Sequence, residues 1–165
     1  MADSHSFDIV SKVDFQEINN AIQQTLKEIL TRFDLKDSNT TINFIEKDNK
    51  IHVQSKDDYK LKSVIEILKQ KFIKRNISPK AIKEEKIEAG LAGIAKVDLN
   101  IQVGISKENA KIIVTDIKKI NPKLQTQIQD EQIRVTSKKI DELQTLINAL
   151  KEKEFEIPLQ FLNYR

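Results

Sequence analysis

Two stretches of the sequence, KIHVQSKDDYKLKSVIEILKQK at residues 50–71 and QIRVTSKKIDELQTLINALKEK at residues 132–153, align with each other without a gap. In each, a short alternating run passes into a pattern with an apolar residue every three or four positions, which predicts a strand followed by an amphipathic helix. The apolar matches could reflect shared core packing alone, but the matching Ser-Lys between strand and helix indicates an internal duplication. Nine aligned pairs are identical: Ile51/Ile133, Val53/Val135, Ser55/Ser137, Lys56/Lys138, Leu61/Leu143, Ile65/Ile147, Leu68/Leu150, Lys69/Lys151 and Lys71/Lys153.

The residues around the first copy complete a β-α-β-β-α-β series. Residues 6–13 alternate, with Phe7 and Ile9 on one face and Asp8 on the other, which is typical of a strand. Asp14 followed by Glu17 has the spacing of a capping box and predicts the start of a helix. The later elements are a hairpin of residues 41–46 and 50–54 around Asp48-Asn49, a helix over about 58–72 and a returning strand over 83–89.

The second half repeats this order. Residues 97–103 alternate as a strand, and Ser106 is placed to cap a helix that ends before Pro122. The remaining elements are a hairpin of residues 124–129 and 132–136 around Asp130-Glu131, a last helix capped by Ser137 and a final strand over 157–164.

These patterns predict an α+β fold made of two tandem ferredoxin-like, RNA-recognition-like domains. Each domain would have a four-stranded antiparallel sheet with both helices on one face and the other face open. Gly90 and Gly93 mark the joint, so the halves are expected at residues 1–90 and 94–165. The sequence leaves open whether the strand at 6–13 pairs within its own half or crosses to the other sheet.

The composition fits a small globular protein. Hydrophobic residues make up 39% of the 165-residue chain and aromatics 5%, so the core must consist mostly of Ile, Leu and Val. Without cysteine, disulfides and thiolate catalysis are excluded. The formal charge of +3, from 28 basic and 25 acidic side chains, is too balanced to indicate nucleic-acid binding by itself. The first five residues lack a signal-peptide pattern and no apolar run could span a membrane, so we expect a cytoplasmic protein without a membrane partner.

Catalytic and metal-binding motifs are missing from the sequence. His5 and His52 are the only histidines, and no HExxH pattern or cysteine cluster would hold zinc. Three glycines cannot build a phosphate-binding glycine-rich loop. An acylphosphatase-type enzyme on this fold would need an arginine just after the first strand, and neither 14–16 nor 106–108 supplies one. We therefore expect no enzymatic activity, no cofactor and no metal.

Amide side chains dominate the predicted open face of the second half. Asn and Gln each present a donor and an acceptor, and Arg134 presents a rigid fork, which suits them to read a base edge and hold a phosphate. The aromatics that stack RNA bases are missing, and His52 and Arg134 hold the corresponding positions. A face that is simply solvated, or that packs on the other domain, would carry the same residues. The nucleotide-binding candidates are Asn100, Gln125, Gln127, Gln132 and Arg134 in the second half, and His52 and Gln54 in the first.

Two expectations concern cations in particular. Because Arg134 is predicted to point away from the core, we expect its replacement by alanine to weaken binding while leaving folding almost unchanged. Lys69, Lys71, Lys74 and Arg75 are candidates for phosphate contact near the end of the second helix. Cations at a helix C-terminus also complement the helix dipole, which explains most of this cluster without a ligand.

Several blocks of the sequence, in the same order along practically the whole chain, resemble the YajQ family. They are SFDIVS at 6–11, DFQEINNAIQQTLKEILTRFDLK at 14–36, Gly104-Ile105-Ser106, LQTQIQDEQIRVT at 124–136, DELQ at 141–144 and PLQFLNYR at 158–165. The resemblance implies a tandem pair of ferredoxin-like domains in a nucleotide-binding protein, and some members have cyclic di-GMP binding or transcriptional and RNA-linked roles. It assigns no ligand contacts residue by residue. Asp130-Glu131 departs from the Gly-Asp or Gly-Asn expected at the second hairpin.

The expected function is therefore nucleotide binding of the YajQ type, as a cyclic di-GMP effector that acts without catalysis. Two alternatives remain open: a single-stranded RNA-binding protein and a protein-interaction scaffold with a protein partner. RNA binding would show an affinity that grows with oligonucleotide length and falls steeply with salt. A scaffold would bind neither ligand.

Overall fold

The computed structural model describes residues 4–165, so the prediction that the N-terminus is not a signal peptide falls largely outside the described residues. This part of the chain forms an α+β fold of four α-helices and nine strands. The helices are α1 Phe15–Thr31, α2 Asp58–Lys74, α3 Lys107–Ile120 and α4 Ile140–Glu152. The strands are β1 His5–Val10, β2 Thr41–Ile45, β3 Lys50–Ser55, β4 Ile82–Glu84, β5 Glu88–Ala89, β6 Ala95–Ile101, β7 Gln125–Gln129, β8 Gln132–Ser137 and β9 Gln160–Leu162.

The strands form two antiparallel sheets in two compact units. The split unit consists of the chain up to Lys12 together with Val103–Arg165, and its sheet has the order β7-β8-β1-β9. The continuous unit is Val13–Gln102, and its sheet has the order β2-β3-β6-β4, with β5 also pairing with β6. Two antiparallel sheets and four helices confirm the predicted ferredoxin-like α+β class.

The two units differ from the predicted halves of 1–90 and 94–165 because two strands are exchanged. β1 lies between β8 and β9 in the split unit, so the strand whose partner the sequence left open pairs with the second half. β6, predicted to open the second half, pairs with β3, β4 and β5 of the continuous unit. Both strands alternate apolar and polar residues, so each could occupy a central position in either sheet. Periodicity alone therefore does not determine which sheet each strand joins.

The two copies of the repeat form equivalent elements, β3-α2 and β8-α4. Ile51 and Ile133 are both fully buried on the central strands, and Leu68 and Leu150 are buried on the helices that cover them. In the split unit the helices and sheet enclose one core, made of Phe7, Ile9, Ile105, Ala110, Ile113, Ile117, Leu124, Ile133, Val135, Leu143, Leu146, Ile147, Leu150 and Ile157.

Local signals explain where most elements begin and turn. Asp14 Oδ1 accepts a hydrogen bond from Gln16 N at 2.9 Å, and Ser106 Oγ accepts one from Asn109 N at 3.2 Å, so both caps form as predicted. Asn49 and Asp130, the turn residues of the two hairpins, adopt φ values of 51° and 52°.

Ser137, however, does not cap α4. The helix begins three residues later, at Ile140, and Ser137 Oγ instead accepts from Lys139 N at 3.1 Å and donates to Glu142 Oε2 at 2.7 Å. None of the helices in the described residues is long and apolar enough to cross a membrane.

Candidate functional site

Alternation along β1, β7 and β8 places one polar set on the open face of the split unit. In the strand register Gln127 lies opposite Arg134, and Arg134 lies opposite Asp8. Because residues that are opposite each other on neighbouring strands share a face of the sheet, these three side chains lie on the same face. Gln125 and Gln127 are exposed, whereas Gln132 is half-buried. The structure therefore brings together four of the predicted nucleotide-binding residues: Gln125, Gln127, Gln132 and Arg134.

Arg134 is held by a carboxylate that sequence reasoning did not pair with it. Its Nε donates to Asp8 Oδ1 at 2.9 Å and its Nη2 to Asp8 Oδ2 at 3.4 Å, and Asn163 Nδ2 donates to Oδ2 at 2.8 Å. Asp8 is 1% exposed, so its carboxylate depends on these donors. The hydrogen bond from Arg134 lowers the pKa of Asp8 although burial opposes the shift, and Asp8 in turn raises the pKa of Arg134.

This pairing corrects the expectation that Arg134 is a free surface side chain. Its side chain is 29% exposed, and the buried carboxylate of Asp8 fixes the position of its guanidinium group. A substitution at Arg134 would leave Asp8 charged and buried without its main partner, so it must affect folding as well as any binding.

The continuous unit carries an acid–base pair at the equivalent place. His52 aligns with Arg134 in the repeat, and Asp98 lies opposite His52 on the central strand β6, as Asp8 lies opposite Arg134 on β1. His52 Nδ1 and Asp98 Oδ1 are 2.8 Å apart, and Lys50 Nζ is 3.9 Å from Asp98 Oδ2. Each open face therefore centres on a cross-strand pair in which the aspartate comes from the exchanged strand.

Asn100 does not join the amides of the second half. It lies on β6 in the continuous unit, opposite Lys50 and Lys83, and its Nδ2 donates to Glu85 Oε1 at 2.9 Å. The exchange of β6 is the reason: the prediction assigned this strand to the wrong sheet. Gln54 also lies on the continuous unit's open face, opposite Lys96.

The cations predicted to contact phosphate are engaged within the continuous unit. Lys71 Nζ lies 2.9 Å from Glu28 Oε1 and Arg75 Nη1 lies 3.2 Å from Glu17 Oε2, so both connect α2 to α1. Lys69 pairs with Glu84 of β4. Lys74 is exposed at the end of α2. Three members of this cluster thus have carboxylate partners on neighbouring elements.

A pocket of about 410 Å³ lies within the split unit, where β1 ends beside the β7–β8 turn. The loop before α3 closes one side of it, because Gly104 N donates to Ser11 O at 2.7 Å and Ile105 N donates to Glu131 O at 2.9 Å. Gln132 belongs both to this pocket and to the open face. The lining residues are Val10, Ser11, Lys12, Val103, Gly104, Asp130, Glu131 and Gln132.

Sequence reasoning did not single out this pocket. The signal available was Gly104, which adopts φ +80° and lies so close to Glu131 that an added Cβ would be 2.6 Å from its Cδ. A smaller recess of about 150 Å³ lies on the continuous unit beside His52, Asp98, Lys96 and Glu88. Among residues 4–165, no three His, Cys, Asp or Glu side chains are grouped so that they could hold a metal ion.

Comparison with known proteins gives the family. A family model described as "Nucleotide-binding protein YajQ-like" matches residues 5–165. The chain belongs to this YajQ-like family. A relative from Citrifermentans bemidjiense, named "Nucleotide-binding protein", is 53% identical over 160 residues, which is 97% of this chain and 98% of that protein. Relatives with the same name from Carboxydothermus hydrogenoformans and Alkaliphilus oremlandii are 46% and 48% identical over 165 residues, and the match covers 100% of each chain.

Membership of the YajQ-like family confirms the resemblance read from the sequence blocks. The matched range contains both units, including the exchanged strands and the pocket residues of the split unit. The family match does not by itself assign a ligand contact to any residue.

Proposed function

We propose that this YajQ-like protein binds a nucleotide without turning it over, that the nucleotide is cyclic di-GMP, and that it binds the open face of the split unit. The names of the relatives support the ligand class, and the resemblance to YajQ proteins supports the cyclic dinucleotide. The observation that carries the choice of surface is the fork between Arg134 and Asp8 among the glutamines of β7 and β8.

The fork prepares Arg134 to contact a phosphate. A guanidinium has five N–H donors, and Asp8 accepts from Nε and Nη2, so donors remain for a ligand oxygen. Because the buried carboxylate already fixes the side chain, little rotamer entropy is lost when the phosphate binds. The exposed amides of Gln125 and Gln127 add directional donors and acceptors on the same face.

The chemistry of this face favours a small nucleotide over single-stranded RNA. Its positions on β1, β7 and β8 hold serine, aspartate, valine, glutamine, arginine and threonine, without an aromatic platform for successive bases. The positive charge of Arg134 is compensated by Asp8, so the face offers little net charge to a long polyanion.

Calorimetric titration with cyclic di-GMP tests the proposal. Wild type should bind saturably, and Gln127→Ala should weaken binding about three- to tenfold, which corresponds to one neutral hydrogen bond. Gln23→Ala is the matched control, because Gln23 is also an exposed glutamine but lies on α1 of the continuous unit.

Other outcomes would overturn the proposal in recognisable ways. Displacement by a 20-nucleotide RNA with a steep salt dependence would make the protein an RNA binder. Absence of binding to either ligand would leave the scaffold alternative. Hydrolysis of cyclic di-GMP during the titration, detected by chromatography, would refute a non-catalytic role.

A further inference from the structure

We propose that β7, the outer strand of the split unit's sheet, pairs with β7 of a second copy of this chain. The two sheets would join around a two-fold axis that passes through Gln127. The proposal concerns self-association and does not depend on which ligand the open face binds. It rests on the backbone groups, the side chains and the end charges of β7.

The outward backbone groups of β7 are open to another strand. β7 pairs with β8 from Gln125 to Gln129, and only two residues separate Gln129 from Gln132 at the turn. In such a hairpin the closing pair exchanges both of its backbone hydrogen bonds, and the pattern then alternates along the strand. The backbone groups of Thr126 and Ile128 therefore point away from β8, and no hydrogen bond within residues 4–165 reaches them. A row of this kind is a template for a further strand.

β7 lacks the features that keep many edge strands from pairing. Residues 124–129 include no charged residue and no proline, and the five pairs with β8 follow one another without a bulge. Ile128 lies on the side of the sheet that carries the helices, yet it is 46% exposed. The edge strand β2 of the continuous unit differs, because Ile42 is buried and the ring of Phe44 packs 5.1 Å from that of Phe15. β7 therefore exposes both a backbone edge and an apolar side chain.

The sequence of β7 fits an antiparallel copy of itself. With the axis at Gln127, Thr126 of each copy lies opposite Ile128 of the other. Outward groups then meet outward groups, so the two residues of each pair can exchange both backbone hydrogen bonds. Their β-branched side chains would also pack against each other across the new ladder. On the other face Gln127 would lie opposite Gln127, and Gln125 opposite Gln129, so that amides pair with amides.

The charges at the two ends of β7 favour the same partner and the same direction. Exposed Lys123 precedes the strand, and the exposed acidic turn Asp130-Glu131 follows it. In the antiparallel register each Lys123 faces the acidic turn of the other copy, whereas a parallel register would bring like charges together. A second copy of the chain therefore meets this edge with complementary charge at both ends.

The pairing should stop at two copies. The other edge of the split unit's sheet is β9, which has only three residues, Gln160–Leu162, and offers little backbone to a further strand. A two-fold axis also uses the same edge of both copies, which closes the assembly. Because a five-residue strand covers less area than a standard interface, we expect a weak dimer whose population depends on concentration.

Sedimentation velocity of the full chain, from about 1 µM to about 1 mM, measures the association. Wild type should pass from monomer toward dimer within this range. Ile128→Lys should weaken the association at least about tenfold, because it places a charge in an apolar contact on both sides of the axis. Ile73→Lys is the matched control and should associate like wild type, since Ile73 is a 56% exposed isoleucine on α2 of the continuous unit.

Cysteine cross-linking tests the register, since the chain has no cysteine of its own. At the axis the two Gln127 Cα atoms would be about 4.5 Å apart, which a disulfide can span. Gln127→Cys should therefore form a disulfide-linked dimer under mild oxidation, detected by non-reducing electrophoresis. Gln125→Cys is the control and should stay mostly unlinked, because its two Cα atoms would be more than about 13 Å apart.

Several results would refute the pairing of β7. Wild type could remain monomeric at about 1 mM, or Ile128→Lys could associate as tightly as wild type. Equal cross-linking of Gln125→Cys and Gln127→Cys would show random collision instead of the proposed register. Assembly beyond two copies would exclude a closed dimer. None of these measurements includes a nucleotide, so their failure would not count against the proposed function.

Discussion

Arg134 and Asp8 face each other across the β1–β8 ladder, with Arg134 Nε 2.9 Å and Nη2 3.4 Å from the two carboxylate oxygens. The two residues are 126 positions apart in the sequence. Their pairing exists only because β1 lies in the split unit, so it links the strand exchange directly to the stability of the candidate binding face.

Replacing Arg134 with alanine should destabilise the protein by about 3–5 kcal/mol, because the buried charge of Asp8 would lose its main partner. Urea denaturation at pH 7 measures the change. The double variant Asp8→Asn/Arg134→Gln should recover part of the loss, since no uncompensated charge remains. Equal destabilisation by the single and double variants would contradict the interpretation of the pair.

The Asp8 carboxyl should make stability depend on pH below about pH 4. The hydrogen bond from Arg134 holds the pKa of Asp8 in the folded state below its ordinary value, so the ionised carboxyl stabilises the fold above the unfolded-state pKa, and this contribution is lost as the pH falls through the folded-state pKa. Asp8→Asn should lower the free energy of unfolding at pH 7, measured by urea denaturation, by about 1–3 kcal/mol. The difference from wild type should shrink as the pH is lowered from 4 to 2. A constant difference over this range would show that the carboxylate charge is not responsible.

The repeated leucines should be equivalent in energy as well as in position. Leu68→Ala and Leu150→Ala each remove a buried side chain beneath a sheet and should destabilise by about 2–5 kcal/mol. Leu30→Ala, at a position 71% exposed on α1, is the control and should change stability by less than about 0.5 kcal/mol. The readout is the denaturation midpoint, and a small effect at Leu68 or Leu150 would refute the assigned core.

The unit boundaries can be tested with fragments. Residues 13–102 contain every strand of the continuous unit's sheet and should fold alone into a cooperative domain. Residues 94–165, the predicted second half, lack β1, the strand between β8 and β9, and should remain largely unfolded. Circular dichroism during thermal denaturation distinguishes the two results. A cooperative transition in the 94–165 fragment would restore the sequential arrangement.

Sequence patterns predicted the helices, strands and turns well because each of these elements is specified by residues close together in the sequence. The turn at Asn49 and the cap at Asp14 depend on backbone conformation and on hydrogen bonds within a few residues. The alternation of Phe7, Asp8 and Ile9 also placed Asp8 correctly on the face opposite the core.

Nonlocal pairing was the part that the sequence could not supply. β1 has six residues and β6 has seven, and both alternate apolar and polar residues, so neither the length nor the pattern of either strand specifies its neighbour in the sheet. The buried partner of Arg134, the place of Asn100 and the existence of the pocket at Ser11 all depend on that choice. The functional expectations at these positions were therefore the ones that changed.

The exchange of β1 and β6 also constrains how the gene could change. Each predicted half, residues 1–90 or 94–165, encodes strands for both units, so deletion or recombination at the midpoint would remove a central strand from one sheet and leave a strand without its sheet in the product. Either half inherited alone would encode no complete sheet of either unit. Once the exchange had arisen, the two copies could diverge in residues such as His52 and Arg134, but they could no longer be lost or shuffled independently.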